Sequence, residues 1–142
     1  MAIKIKFKKL NNDVVLPHYS RAGDAALDIY SCVDLLIMPT EIVKIPTGFA
    51  TEFSEDYVGL IYRRSGLAGK GIVPLGTAVI DANYRGEWLV TMTNSSTEAY
   101  EIKKGDRIAQ IIFHKIDNVI VEEVTELRES NLGEGNFGSS GR

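Results

Sequence analysis

Residues 76–90, Gly-Thr-Ala-Val-Ile-Asp-Ala-Asn-Tyr-Arg-Gly-Glu-Trp-Leu-Val, place two apolar arms around a polar turn carrying an acid, an amide, an aromatic and a base. Asp81 follows the β-branched pair Val79 and Ile80, so it stands where a strand ends and is expected to be rigidly held and partly shielded from water. A carboxylate in that position can orient or deprotonate a reacting group. Taken alone, the same residues also read as a plain hairpin whose Asp81 and Asn83 close the turn. A second chemical stretch runs from Tyr62 to Ile72, where the apolar run Tyr57 to Tyr62 delivers Arg63, Arg64 and Ser65 to the start of a short helical turn. Guanidinium forks, a hydroxyl and free turn amides together suit the oxygens of a polyphosphate, although a solvated basic loop has the same composition.

Two glycine-rich matches fail on context. Gly133-Glu-Gly135-Asn-Phe-Gly138 spells a dinucleotide-binding pattern, but the four residues after it cannot form the helix that would receive a pyrophosphate. Gly69-Lys70 resembles the end of a phosphate loop, yet Gly71 stands where Ser or Thr should be and Arg64 where the first glycine should be. His18 and His114 sit apart from each other and from any acidic pair at ligand spacing.

The elements that must position these groups are short. Strands are predicted at 2–7, 25–31, 33–38, 41–46, 57–63, 71–74, 76–81, 87–93, 98–103, 107–115 and 118–125, with 36–38 and 108–113 as core strands. Turn residues recur every eight to twelve positions, as in Asn11-Asn12-Asp13, Pro39-Thr40 and Lys104-Gly105-Asp106, and only 64–70 offers a short helix. This is the pattern of an all-β single domain, a sandwich or jelly roll, over residues 1–132. From 133 to 142 the composition turns to glycine and serine around one aromatic, Phe137, which predicts a flexible C-terminal arm with a surface to stack on.

A chain of 142 residues is long enough to bury one core without staples. Its 16 basic and 19 acidic residues are intermixed, with a net charge of -3, so neither nucleic acid nor a membrane is an expected partner. The start alternates apolar and basic residues as a strand does, unlike a signal peptide, and Cys32 is the single cysteine; an intracellular, reducing compartment such as the cytoplasm is expected.

Five segments in order carry a resemblance. They are Ala22-Gly-Asp-Ala-Ala-Leu-Asp28-Ile-Tyr-Ser31, Arg64-Ser-Gly-Leu-Ala68, Val79-Ile-Asp81-Ala-Asn-Tyr84-Arg-Gly86, Gly105-Asp-Arg-Ile-Ala-Gln110 and Gly135-Asn-Phe137-Gly-Ser-Ser-Gly141. In this order the chain resembles the trimeric dUTPases, deoxyuridine triphosphate nucleotidohydrolases, over nearly its whole length.

The resemblance implies a dUTPase-type jelly roll that hydrolyses dUTP to dUMP and pyrophosphate. It implies that Asp81 accepts a hydrogen bond from the attacking water and aims it at the α-phosphorus. Main-chain groups of the hairpin at Val79 and Ile80 would read uracil, and Tyr84 would pack on the sugar, excluding a ribose. Arg64, Ser65, Gly66 and Gln110 would hold the phosphates. Magnesium is the implied cofactor, riding on the triphosphate with Asp28 near it through water. Phe137 would stack on the base as the last segment closes, with Gly138 and Ser139 donating amides to phosphate. Shared sites imply a homotrimer.

The chain departs from that pattern at Leu132, where the family usually carries Arg, and at Asn136, where a glycine is usual. The usual γ-phosphate contact is missing at the matching position, with Arg128 and Arg142 nearby in sequence as alternative donors, which predicts weaker binding or slower turnover. Two alternatives follow from the same residues: a catalytically weak dUTP-binding regulator, and a dCTP deaminase of the same fold, which would need a glutamate base that Asp81 does not supply.

Overall fold

The computed structural model describes residues 2–135, 138 and 141. Among these, eleven strands and one helical turn follow in order: β1 Lys6–Lys9, β2 Leu27–Tyr30, β3 Leu35–Ile37, β4 Ile42–Pro46, β5 Phe49–Glu52, β6 Tyr57–Tyr62, α1 Ser65–Ala68, β7 Ile72–Pro74, β8 Ala78–Ile80, β9 Leu89–Asn94, β10 Tyr100–Ile102 and β11 Arg107–Lys115. They pair antiparallel into a four-stranded sheet ordered β2-β11-β6-β8, a three-stranded sheet β4-β9-β7, and two ribbons, β1-β5 and β10-β3. The expected all-β sandwich with one short helix is what the chain forms.

Period-two alternation explains how the layers meet. On β9, Val90, Met92 and Asn94 are buried while the residues between them are not. From the four-stranded sheet, Ile29, Ile61 and Ile111 join Ile45, Val90, Met92 and Ile72 of the three-stranded sheet in one apolar cluster. Trp88 is fully buried at its centre, 5.4 Å from Phe49 and 6.1 Å from Phe113 between ring centroids. Gly59 on β6 makes room for it: a Cβ there would lie 2.7 Å from the indole. Asn94, also buried, donates to Ile37 O at 2.9 Å and Glu98 O at 2.7 Å, so its amide is satisfied inside the core.

Three strand expectations are corrected. The first strand is Lys6–Lys9 rather than 2–7, because its register with β5 is fixed by Lys6 opposite Glu52 and Lys9 opposite Phe49. β5 itself was not expected: Phe49, Ala50 and Thr51 are all buried, so the run has no alternation to read. Residues 118–125 form no strand and pair with nothing among the described residues, and Val119, Ile120 and Val121 are 81%, 94% and 90% exposed. The 36–38 stretch is only partly core, since Ile37 is buried while Leu36 and Met38 point outward from the ribbon.

Candidate active site

Cross-strand register builds the phosphate end of the site. Asp28 on β2 lies opposite Gln110 on β11, and Gln110 lies opposite Tyr62 on β6, so the three form one row across the four-stranded sheet. Beyond Tyr62 the chain leaves the strand through Arg63 and Arg64 into α1. Gln110 Nε2 donates to Arg63 O at 2.7 Å and pins that exit. Arg64 takes an extended conformation (φ -100, ψ 135) with no side-chain cap; Ala68 N–H bonds Arg64 O at 2.9 Å, and the amides of Ser65, Gly66 and Leu67 have no backbone acceptor among the described residues. A cavity of about 320 Å³ opens here between Ser20, Arg21, Asp24, Asp28, Arg64 and Arg107, with Ser65, Gly66 and Gln110 also on its wall. Sequence reasoning named Asp28, Arg64, Ser65, Gly66 and Gln110, and the fold brings all five together.

Ser20 and Arg107 were missed. Ser20 Oγ donates a hydrogen bond to Asp28 Oδ2, Arg64 Nε lies 3.2 Å from Asp28 Oδ1, and Arg107 Nε lies 3.9 Å from Asp28 Oδ2. These partners cover the carboxylate, and Asp28 is only 8% exposed. Antiparallel pairing beside β2, with Asp28 N–H bonded to His18 O at 3.0 Å, carries Ser20 to its place. No local pattern in the sequence announces a contact across eight residues of turn.

The second end of the site is the hairpin tip. Ala82 is buried and Trp88 anchors the returning arm through Nε1 to Thr51 Oγ1 at 3.0 Å and its amide to Phe49 O at 3.0 Å. Between them, Tyr84 N–H bonds Asp81 O at 3.1 Å and Arg85 Nη1 bonds Ala82 O at 2.7 Å, closing a tight turn. Tyr84 folds back so that its hydroxyl donates to Glu87 O at 2.8 Å, and a Cβ at Gly86 would come within 2.5 Å of that hydroxyl. The turn is thus rigid, as expected. Its acid is not shielded: Asp81 is exposed. Val79, two residues before it and on the same sheet face, is 64% exposed, so the face that would have covered Asp81 is open in the single chain.

The two ends lie on one sheet but apart. Ile80 pairs with Gly59, which places Asp81 beside Val58, four residues down β6 from Tyr62. That separation is about 13 Å along the strands, and three inter-strand spacings from β8 to β2 add about 14 Å sideways, or roughly 19 Å in all. Between them the outward side chains of Leu60, Val79 and Ile112 form an apolar stripe. Gly138 is exposed, with φ 86 and its carbonyl bonded to Gly141 N–H at 3.0 Å. Phe137 and Ser139 lie outside the described residues, and Leu132 is 65% exposed.

Among the described residues no group of three or more His, Cys, Asp or Glu gathers to hold a metal, and no helix is long and apolar enough to cross a membrane. An all-β sandwich with a cationic, hydroxyl-bearing cradle and an acid-tipped hairpin on one face has the layout of a phosphate-handling enzyme. The dUTPase family model matches residues 12–141. The chain is 43% identical to the deoxyuridine 5'-triphosphate nucleotidohydrolase of Nautilia profundicola over 99% of this chain and 100% of that one. It is 40% identical to that of Clostridium kluyveri, over 98% and 99%. The chain belongs to the dUTPase family. Among solved structures, a variant of the Staphylococcus bacteriophage 80alpha dUTPase with dUpNHpp superposes at a TM-score of 0.92, with 29% identity over 98% of this chain and 99% of that one. Another structure of the 80alpha enzyme, at TM-score 0.91 and 29% identity over 98% and 99%, is described under the control of virulence-gene transfer by phage dUTPases. A dUTPase variant from phage phi11 of S. aureus, at TM-score 0.83 and 25% identity over 89% and 99%, is described by its coordination of a structural Mg(II) ion.

Proposed function

We propose that the chain hydrolyses dUTP to dUMP and pyrophosphate. The observation that carries this reading is the row Asp28–Gln110–Tyr62, which delivers Arg64 and Ser65 to one cavity on the sheet that also ends in Asp81. Arg64, Ser65, Gly66 and Gln110 bind the phosphate chain by charge-assisted bonds and turn amides. Main-chain groups at Val79 and Ile80 accept the base, and Tyr84 braces the sugar. The Asp81 carboxylate accepts a hydrogen bond from water and directs its oxygen to the α-phosphorus; the bond from that phosphorus to the bridging oxygen breaks, and pyrophosphate leaves. Positioning and charge neutralisation provide most of the rate. Phe137, Gly138 and Ser139 close over the substrate and exclude water. The cellular consequence of such an activity is less uracil in DNA and a supply of dUMP for thymidylate synthesis.

The residues present fit magnesium only through water. Both oxygens of Asp28 are already taken by Ser20, Arg64 and Arg107, and Asp24 is the other acid on the cavity wall. A magnesium ion carried by the triphosphate would keep its own waters and meet Asp28 across them, supplying charge neutralisation on the phosphate oxygens.

A homotrimer completes the site. Two observations support this: the cradle and the acid of one chain are too far apart for one substrate, and the stripe between them ends in the exposed Val79, with Leu60 and Ile112 only half-buried. In a threefold ring the hairpin of one copy meets the cradle of the next, a heterologous contact that closes. Residues 116–135 are exposed throughout, with Leu127 at 88%, and a groove of about 520 Å³ lined by Ile3, Ile5, Phe7, Leu27 and Ile111 offers another copy's arm an apolar seat.

The test is pyrophosphate release from dUTP, dCTP, dTTP and UTP with magnesium, for the wild type and for Asp81→Asn. Selective turnover of dUTP that Asp81→Asn abolishes supports the reading; ammonia release from dCTP would replace it with a deaminase. The description of the phage 80alpha structure favours a second reading, a nucleotide-gated regulator. In that case dUTP would bind while pyrophosphate release stayed negligible.

A further inference from the structure

We infer that Ser20 is a positioning residue for the reaction, acting through Asp28 to aim the Arg64 guanidinium at the phosphate chain. The inference rests on the dUTP-hydrolysing reading and adds to it a residue outside all five family segments.

Asp28 sits at the centre of a small array. Its Oδ1 takes Arg64 Nε at 3.2 Å, while its Oδ2 takes the Ser20 hydroxyl and faces Arg107 Nε at 3.9 Å. Nε is the Arg64 nitrogen that faces the carboxylate, as an ion pair. The two terminal nitrogens of that guanidinium make no hydrogen bond among the described residues, so they are left for a ligand in the cavity that Arg64, Ser65 and Gln110 line. The direction in which they point depends on where Asp28 Oδ1 is held.

Two groups hold it. The backbone of Asp28 is fixed by its bond to His18 O and its register with Gln110. Rotation of the carboxylate about its own axis is left to Oδ2. Arg107 is too distant and too exposed to fix it, with 49% of its side-chain surface open to solvent. The Ser20 hydroxyl is therefore the group that locks the carboxylate plane. Ser20 itself is steadied by the turn that follows, in which Arg21 N–H bonds Asp24 Oδ2 at 2.9 Å and Asp24 N–H bonds Arg21 O at 3.2 Å. Since Arg64 touches phosphate before and during the reaction alike, loosening it weakens binding and leaves the chemical step nearly intact.

The experiment is a double-mutant cycle of Ser20→Ala, Asp28→Asn and the pair, with Ser20→Thr as the conservative control. Steady-state kinetics with dUTP and magnesium, calorimetric binding of dUpNHpp and thermal melting are measured on each full-length protein. Ser20 is exposed, so the alanine variant loses no core packing and should melt with the wild type. Ser20→Ala is expected to raise KM and the analogue Kd about three- to tenfold while kcat stays within about twofold. Ser20→Thr should restore most of the affinity, and Ser20→Ala should have no further effect on top of Asp28→Asn. Unchanged KM and Kd in Ser20→Ala overturn the inference, as do effects of the two single substitutions that multiply in the pair. If the wild type releases no pyrophosphate from dUTP, the proposed reaction fails instead, and the calorimetric cycle still decides the role of Ser20.

Discussion

Two substitutions that disable opposite ends of the site, Arg64→Ala and Asp81→Asn, are expected to complement each other when the two variants assemble together. Asp81 lies beside Val58 and the cradle begins beyond Tyr62, so one chain's acid and its own guanidinium stand roughly 19 Å apart across the paired strands. In the proposed trimer each working centre draws its cradle from one copy and its acid from another. Loss of Asp81 as the proposed general base should lower kcat/KM by about 10²–10⁴-fold. Loss of one charged contact to phosphate, about 1.5–3 kcal/mol, should lower it about 10–150-fold. In trimers formed at random from equal amounts, a centre is intact when its cradle comes from Asp81→Asn and its hairpin from Arg64→Ala. The chance of that is about one in four for a closed heterologous ring. Co-refolded mixtures assayed at low dUTP for pyrophosphate release should therefore reach about a quarter of the wild-type specificity constant. A mixture that gives only the average of the two parents would refute the shared site.

Leu132→Arg is expected to raise the specificity constant for dUTP several-fold, by supplying the cation that the family usually carries before the last segment; parallel KM measurements with dUTP and dUDP check that the gain needs the third phosphate. Gly59→Ala should destabilise the fold by about 1–3 kcal/mol in urea titrations, because the new methyl group meets the Trp88 ring at 2.7 Å in a core that cannot yield. Cys32 should alkylate slowly at neutral pH: burial and the nearby Glu87 carboxylate raise its thiol above the ordinary range, so the reactive thiolate forms only at higher pH. Iodoacetamide rates followed from pH 7 upward should climb through a midpoint above that of a free cysteine, and Glu87→Gln should shift it down.

How legible all this was depends on what each feature rests on. β6 and β11 were readable because each is an apolar run ended by charge and turn residues, and the cradle residues ride on their ends. β5 was not, since Phe49, Ala50 and Thr51 are buried together after Gly48 and show no period. Val119, Ile120 and Val121 announce a stretch that needs burial, yet the letters cannot say which surface buries it, and none does among the described residues. Asp81 was placed on the right turn with the wrong exposure for the same reason. The Asp28 array was out of reach altogether, because Arg64 and Arg107 meet that carboxylate from strands and turns far away along the sequence.

Strand β6 also acts as a ruler. It carries Val58 beside the acid at one end and Tyr62 beside the cradle at the other, so the spacing between the two half-sites that one chain offers is counted in its residues. Inserting one residue there would turn Leu60 and its neighbours inside out, and inserting two would restore the faces but lengthen the gauge by about 6.6 Å. The exposed turn Ser54–Asp56 just ahead of it fixes where the ruler begins, with Tyr57 N–H bonded to Ser54 O at 3.1 Å and Ile116 N–H to Asp56 O at 2.8 Å. Length changes within β6 thus move the two half-sites against each other.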